Sequence, residues 1–189
     1  SVTSGDVSLE AAKRYLQQPE QRLAVIESLT TENCYAFLEL LGDVAQSLGG
    51  EGIVDLDDLC MSIAGLPEQA LFVDRANAGK EYIGLNAEDN ALRAVVMLLK
   101  SVDSDRMDPL AEKIATDSRT LSCAAEIVTQ SYVPQRRRYS VQLTAPARAR
   151  DAVLQAFAAN VLKAAQEDRL FQMNNPGFIL WTLARSVPT

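Results

Sequence analysis

Apolar residues recur at steps of three and four along most of this chain, which is the spacing that predicts amphipathic helices. The clearest example follows Thr31, which we expect to cap a helix that ends at Gly49-Gly50. The apolar positions of this stretch are Tyr35, Leu38, Leu41, Val44 and Leu48. Because these positions share one face, the pattern predicts a long helix with a buried stripe.

Two shorter helices are predicted before it. Ser8 is the expected cap of the first helix, and Pro19 ends it. Pro19 also opens the second helix, which has acidic residues near its start. The predicted buried positions are Leu9, Ala12 and Leu16 in the first helix and Leu23, Ile26 and Leu29 in the second.

The middle of the chain continues this pattern. Asp55 is placed to cap a short helix, and a proline followed by an acid opens the next one. Residues 86–102 predict a central core helix, because their apolar face is wide. Residues 105–132 divide into a helical hairpin near Asp117, where Ser118 can cap a second helix.

The longest interruption is the stretch VPQRRRYSVQLTAP, residues 133–146. Its alternating Tyr139, Val141 and Leu143 allow a brief extended segment, but nothing evident pairs with it, so we interpret the stretch as a linker. Thr144 then caps a long helix, and a closing helix follows. The expected buried positions of the long helix are Val153, Phe157, Val161 and Ala164 or Ala165.

Together these patterns predict an all-α protein of about eight or nine helices, arranged as a bundle or as irregular stacked hairpins, with no significant sheet. We expect N-terminal helical layers over residues 1–131 and a basic linker loop over 132–145. A C-terminal helical hairpin over 146–189 is expected to pack on the same core, so that the chain forms one domain.

Composition narrows the class of protein. A chain of 189 residues with 48% apolar and 23% charged residues is long enough to bury a real core. The net charge of −7 disfavours a general nucleic-acid-binding role. No apolar run is long enough to span a membrane, and the first residues do not resemble a signal peptide. The cysteines Cys34, Cys60 and Cys123 are predicted to be reduced, buried thiols of a cytoplasmic protein.

Few residues suggest catalysis. The chain has no histidine, which removes the commonest general base and metal ligand, and its cysteines lack metal-ligand spacing. Three acids, Asp55, Asp57 and Asp58, complement a helix dipole without a metal. The stretch GKEYIGL, residues 79–85, lacks the spacing of a phosphate-binding loop. We therefore expect no enzymatic activity, no cofactor, no metal and no small-molecule substrate.

Carboxylate pairs do not change that expectation. Glu81 with Glu88, and Glu167 with Asp168, lie in polar stretches that we expect to be exposed. Nothing in an exposed stretch would raise the pKa of such a carboxyl group into the range that acid or base catalysis needs.

One basic cluster opposes the acidic background: Arg136, Arg137 and Arg138, followed by Arg148 and Arg150. The favoured interpretation is that these arginines pair with acids of the same domain. Docking to an acidic protein surface and contact with nucleic acid are the alternatives, and Tyr132 and Tyr139 flank the cluster.

Aromatic residues concentrate near the C-terminus. Phe178 and Trp181 are three residues apart and share one helical face. The whole group comprises Phe171, Met173, Phe178, Trp181 and Leu183. Burial in the core is the favoured interpretation, and an exposed docking patch is the alternative.

The order of these features over residues 105–186 resembles the C-terminal helical region of KAP-type P-loop NTPases. A helix pair is followed by an irregular connection, a long helix, a proline-containing turn and a helix bearing tryptophan. The matching positions are Asp168-Arg169-Leu170, Asn175-Pro176 and Trp181. The Walker A and Walker B motifs of that family are absent from this chain. The resemblance implies a non-catalytic portion of a larger ATPase, with a partner-sensing or assembly role.

Three functions are therefore carried forward. The first is a helical regulatory or assembly domain that mediates protein–protein interaction, belonging to a larger ATPase. The second is a standalone helical adaptor or scaffold whose stacked helix pairs present a groove to a protein. The third is nucleic-acid contact through the loop at Arg136–Arg138.

Overall fold

The computed structural model describes residues 4–78, 87–132 and 147–186. It contains ten α-helices and no strand within these ranges, which confirms the all-α prediction with one helix more than expected. The helices are α1 Ser4–Gln17, α2 Arg22–Ser28, α3 Cys34–Leu48, α4 Leu56–Gly65, α5 Ala70–Ala78, α6 Ala87–Val102, α7 Met107–Thr116, α8 Leu121–Ile127, α9 Ala147–Gln166 and α10 Pro176–Ser186. A single π-helical turn, Val128–Tyr132, extends α8.

The centre of the fold is the pair α3 and α6, which pack against each other along their lengths. Leu38 and Leu41 of α3 and Val95 of α6 are fully buried. The helices approach closely at Gly42, where an added Cβ would lie 2.9 Å from Arg93 Nη1 and 3.5 Å from Ala94 Cα. This contact holds the first half of the chain on the central helix, as the wide apolar face of α6 predicts.

The second half packs around α8. Helices α7 and α8 form the predicted hairpin, and α9 lies against α7. Asn160 of α9 donates from Nδ2 to the carbonyl oxygens of Ala115 and Asp117, both at 2.9 Å. Helix α10 packs on α8, where the hydroxyl oxygens of Thr129 and Thr182 lie 3.0 Å apart.

Several predicted helix caps are wrong. α1 begins at Ser4, so Ser8 is a buried residue within it. α3 begins at Cys34, and Thr31 does not cap it. Asp55 occupies the N-cap position of α4 as predicted, but its side chain makes no capping hydrogen bond and its backbone is left-handed with φ 52°.

The start of α8 differs from the prediction in an informative way. The helix begins at Leu121 rather than directly after Ser118, with Thr120 before it. Thr120 Oγ1 donates backwards to the carbonyl oxygen of Ile114 at 2.6 Å, so its side chain does not cap the helix. The capping acceptor comes from Glu68, which is 54 residues away in the sequence.

The predicted buried stripe of α2 is also only partly right. Leu29 is buried, but Leu23 is 70% exposed and Ile26 is half-buried. The fully buried residue of this helix is Val25. Val25 and Leu29 are four residues apart and share the face that packs on the core. Leu23 lies on another face.

The remaining burial predictions can be compared with the described residues. Cys34, Cys60 and Cys123 are buried free thiols, as predicted. On α9, Val153, Phe157, Val161 and Ala164 are buried, and Ala165 is exposed. Thr144, residues 79–85 and the stretch 133–146 lie outside the described residues. None of the described helices is long and apolar enough to cross a membrane.

Candidate functional site

The arginines that the sequence singles out fall mostly outside the described structure. Arg136, Arg137 and Arg138 lie outside it, and so does the side chain of Arg148. Arg150 lies on α9, half-buried, and its Nε is enclosed with no hydrogen-bond partner among the described residues. The role of this basic cluster therefore stays a prediction.

Tyr132, which flanks that cluster, closes the core. Its side chain is buried, and its hydroxyl donates to Asp108 Oδ1 at 2.8 Å. Burial and the neighbouring Asp108 carboxylate raise the pKa of Tyr132. Tyr132 is therefore not placed to stack on a base, and Tyr139 lies outside the described residues.

The C-terminal aromatic group separates into a packed part and an exposed part. The rings of Phe178 and Trp181 stack with centroids 5.8 Å apart, and the guanidinium carbon of Arg185 lies 4.8 Å from the Trp181 ring centroid. Met173 is buried as favoured. Phe171, however, is 80% exposed, so the burial favoured for it is wrong. It lies in the one-turn segment Leu170–Gln172, where only Leu170 faces the core.

A cleft of about 870 Å³ lies beside Phe171. Its lining comes from the end of α1, from α2 and α4, and from three connecting segments that precede α5, α8 and α10. Four apolar side chains contribute to it: Leu23, Ile26, Met61 and Met173. Leu23 and Ile26 are one turn apart on α2, so that helix presents a short apolar edge to the cleft.

Two arginines of the cleft have an unsatisfied donor. Arg22 donates from Nε to the carbonyl oxygen of Tyr15 at 3.0 Å, and its guanidinium carbon lies 5.9 Å from the Tyr15 ring centroid. Arg169 donates from Nε to Glu167 Oε2 at 2.6 Å. In both arginines Nη2 is enclosed and has no hydrogen-bond partner among the described residues. An enclosed donor without an acceptor is unfavourable.

The third arginine of the cleft is different. Arg119 donates to Asp117 through Nε at 3.1 Å, through Nη2 at 2.8 Å and through its backbone N–H at 2.8 Å. This interaction lowers the pKa of Asp117 and raises that of Arg119. Arg119 is therefore already paired, although its side chain is 82% exposed.

Glu68 lines the cleft and joins three segments of the chain. Its Oε1 accepts from the backbone N–H of Ser122 at 3.0 Å and from the Ser122 hydroxyl, and its Oε2 accepts from the backbone N–H of Asn174 at 3.4 Å. Burial raises the pKa of Glu68, while these donors and the charge of Arg169 oppose the rise. The carboxyl group thus caps α8 from outside that helix.

A buried polar network continues from Glu68 through Asn174. Asn174 donates from Nδ2 to Glu88 Oε2 at 2.9 Å, and Asn175 donates from Nδ2 to Glu88 Oε1 at 3.0 Å. Burial raises the pKa of Glu88, with Asp89 and Glu68 adding to the rise. The expectation that Glu88 is exposed with an ordinary pKa is therefore wrong, whereas Glu167 and Asp168 are exposed as expected. Glu81 lies outside the described residues.

A further buried acid, Glu126, lies beside Asp89 and Gln130. Gln130 Nε2 lies 2.5 Å from Glu126 Oε1 and 3.4 Å from Asp89 Oδ1. Burial, together with Asp89, raises the pKa of Glu126 to about 9. Despite these acids, no group of three or more metal-ligating side chains in the described ranges is arranged to hold a metal ion. The cleft is the candidate functional site. The buried polar network connects to it through Glu68.

No protein-family model, no curated protein and no solved structure matches this chain. The resemblance to KAP-type NTPases consequently stays a prediction.

The sequence reasoning missed the cleft residues for a specific reason. Leu23 was assigned to a buried stripe, Arg22 stood alone at the start of a predicted helix, and Arg169 was named only within the Asp168-Arg169-Leu170 match. One signal was present at Asn174-Asn175-Pro176, because adjacent asparagines before a proline are typical of turns and helix starts. Their Glu88 partner is 86 or more residues away, and spacing along the chain does not reveal that pairing.

Proposed function

We propose that this protein is a helical protein-interaction domain whose cleft holds a segment of a partner protein. The observation that carries this proposal is the exposure of Leu23, which is 70% accessible and lines a cleft of mixed polar and apolar side chains. Large apolar side chains that line a groove mark interaction sites more often than isolated exposed ones do. A partner residue that covered Leu23 would remove its surface from water and stabilise the complex.

The composition of the cleft favours a protein partner. Arginine, methionine and aromatic residues are enriched in protein interfaces, and lysine is depleted. The cleft contains Arg22, Met61 and Met173, and no lysine lines it among the described residues. Flexible methionine side chains adapt to the shape of an inserted segment.

Phe171 extends this surface. It lies between Arg169 and Gln172, both of which line the cleft, and its ring is the most exposed of the large apolar side chains described. Aromatic residues at the edge of a groove often act as anchors for a partner. An amphipathic segment could therefore contact Leu23 within the cleft and Phe171 beside it.

The first test locates the interaction. A photo-crosslinking amino acid replaces Gln69, an exposed cleft residue, or Gln155, an exposed residue of α9 outside the cleft, in the full chain. Both probes are irradiated in lysate of the source cells. We expect a defined protein to crosslink from the Gln69 position and not from the Gln155 position.

The second test measures the interaction with the crosslinked protein after purification. Leu23→Asp should weaken binding by about tenfold or more in calorimetry, because it places a charge where an apolar contact forms. Leu162→Asp is the matched control, since Leu162 is 58% exposed on α9 and does not line the cleft. Equal affinities of the two variants, or no crosslink specific to Gln69, would contradict the proposal.

A further inference from the structure

We propose that Arg22 and Arg169 form an anion subsite in the cleft that receives a carboxylate side chain of an acidic segment of the partner. This inference rests on the proposed function, because it specifies the chemistry of the segment that the cleft holds. It does not involve the basic cluster at Arg136–Arg138. Both arginines belong to the described structure and line the same cleft.

The two side chains are held in place but are incompletely paired. The Tyr15 carbonyl oxygen holds the Nε of Arg22, and the Glu167 carboxylate holds the Nε of Arg169. These contacts leave the Nη2 of each arginine enclosed without an acceptor. Arg22 and Arg169 are half-buried and line the cleft, so a ligand there reaches the enclosed donors only if the guanidinium groups rotate. Hydrogen bonds from arginine to a carboxylate are among the stronger ones in proteins.

The proposed occupant favours a carboxylate over a phosphate group. The cleft is proposed to hold a protein segment, and aspartate and glutamate supply such a segment with carboxylates without any modification. Asp58 and Glu68 line the same cleft as the arginines. Glu68 accepts hydrogen bonds from the backbone N–H groups of Ser122 and Asn174, and its charge also interacts with that of Arg169.

Apolar residues lie next to both arginines, so the proposed carboxylate site is part of a larger contact surface for the partner segment. Leu23 follows Arg22 directly on α2, and Met173 lies shortly after Arg169. A partner segment that carries an acidic residue near apolar residues therefore matches both parts of the cleft. A segment with only apolar residues would leave the donors of both arginines unsatisfied.

The test uses the full chain and a small probe, N-acetyl-glutamate amide, which presents one glutamate side chain. The neutral N-acetyl-glutamine amide is its matched control. Binding is followed by NMR through the side-chain Nε–H signals of the arginines, at constant ionic strength. We expect saturable shifts of the Arg22 and Arg169 signals with the glutamate probe and none with the glutamine probe. The Arg119 signal should not move, because Asp117 accepts from both Nε and Nη2 of Arg119, whereas only the Nε of Arg169 has an acceptor.

Variants supply the second measurement. Arg22→Gln and Arg169→Gln should each raise the Kd of the glutamate probe by about tenfold, the effect of losing one charge-assisted hydrogen bond. Arg119→Gln should change the Kd less than about twofold. If one arginine variant proves unfolded by circular dichroism, the other variant and the signals of the unmodified protein decide the question.

Several outcomes overturn the inference. The Arg22 and Arg169 signals do not shift, or their shifts do not saturate. The glutamine probe produces the same shifts. The Arg119 and Arg22 variants change the Kd of the glutamate probe equally. Tighter binding of inorganic phosphate at the same two arginines would assign the subsite to a phosphate group and reject the carboxylate.

The two proposals can fail separately. If Leu23→Asp loses partner binding but the glutamate probe does not bind the unmodified protein, the proposed function stands and the anion subsite is rejected. If the probe binds saturably at Arg22 and Arg169 but Leu23→Asp does not change partner binding, the anion subsite stands and the proposed mode of interaction is rejected.

Discussion

Glu126 shows how burial changes the chemistry of a single side chain. Its side chain is fully buried on α8, Gln130 contacts one oxygen, and the other oxygen has no hydrogen-bond partner among the described residues. An ionised carboxylate in such a place loses its hydration without full compensation, so the neutral form is favoured. Burial and the neighbouring Asp89 raise the pKa of Glu126, so the protonated form of Glu126 is favoured near neutral pH.

This raised pKa predicts a pH-dependent stability. The folded chain binds a proton at Glu126 more tightly than the unfolded chain, where the ordinary pKa is 4.5. The contribution of Glu126 to stability is therefore complete below about pH 4.5 and is lost as the pH rises through about 9. The slope approaches about 1.4 kcal/mol of unfolding free energy per pH unit within that window.

Glu126→Gln should remove this part of the dependence, because the amide has nearly the shape of the protonated acid and does not ionise. Urea denaturation at about pH 5, 7 and 9 should show the variant gaining stability over the unmodified protein as the pH rises. Glu112→Gln is the control, since Glu112 is exposed on α7. Parallel pH dependences of the Glu126 variant and the unmodified protein would contradict the prediction.

Helix α8 shows how an element depends on a distant segment of the chain. Neither Ser118 nor Thr120 caps its first turn, and the carboxylate of Glu68 accepts the backbone N–H of Ser122 instead. A negative group at this end also interacts favourably with the helix dipole. The same carboxylate reaches the backbone N–H of Asn174, so it connects α8 to the turn before α10.

Glu68→Ala should destabilise the protein by about 2 kcal/mol, because it leaves donors of Ser122 and Asn174 without an acceptor. Glu68→Gln should cost less, since its side-chain oxygen can still accept one of these hydrogen bonds. Urea denaturation near neutral pH measures both differences. Glu112→Ala, which removes an exposed glutamate from α7, is the reference for loss of a surface charge. A Glu68→Ala effect no larger than that of Glu112→Ala would show that Glu68 is not the cap of α8.

The assembled molecule buries its apolar residues in one continuous core that includes residues from α1 to α10. The chain has a formal net charge of −7, which opposes attraction to nucleic acid. The basic cluster at Arg136–Arg138 is the local exception in the sequence. A DNA-binding measurement can show whether the net charge of the chain or this basic cluster decides nucleic-acid binding.

We expect no binding of a labelled DNA duplex in fluorescence anisotropy, even at low salt, because the net negative charge of the chain outweighs one short basic stretch. The triple variant Arg136→Ala, Arg137→Ala, Arg138→Ala is the comparison. A salt-sensitive signal that this variant loses would contradict the expectation and would assign nucleic-acid contact to the cluster.

The helices were predictable because they depend on local spacing. The apolar faces of α3 and α6 repeat over several turns, so Leu41 and Val95 could be placed in the core from the sequence. Short elements gave weaker signals: α2 has seven residues, and Leu23 fits a helical stripe there although it faces a cleft. Phe171 was misplaced for a related reason, because an aromatic residue in a single turn has no repeated pattern around it.

The all-α class, most helices and much of the core of this protein followed from its sequence by itself, because each rests on residues three or four positions apart. The candidate site did not. The cleft combines Arg22, Glu68 and Arg169, which come from separate parts of the chain. The burial that raises the pKa of Glu88 and Glu126 arises only when α6, α8 and the turn before α10 meet. Tertiary structure decided these features because cleft shape, desolvation and long-range hydrogen bonds depend on distances in space, which the order of residues does not specify.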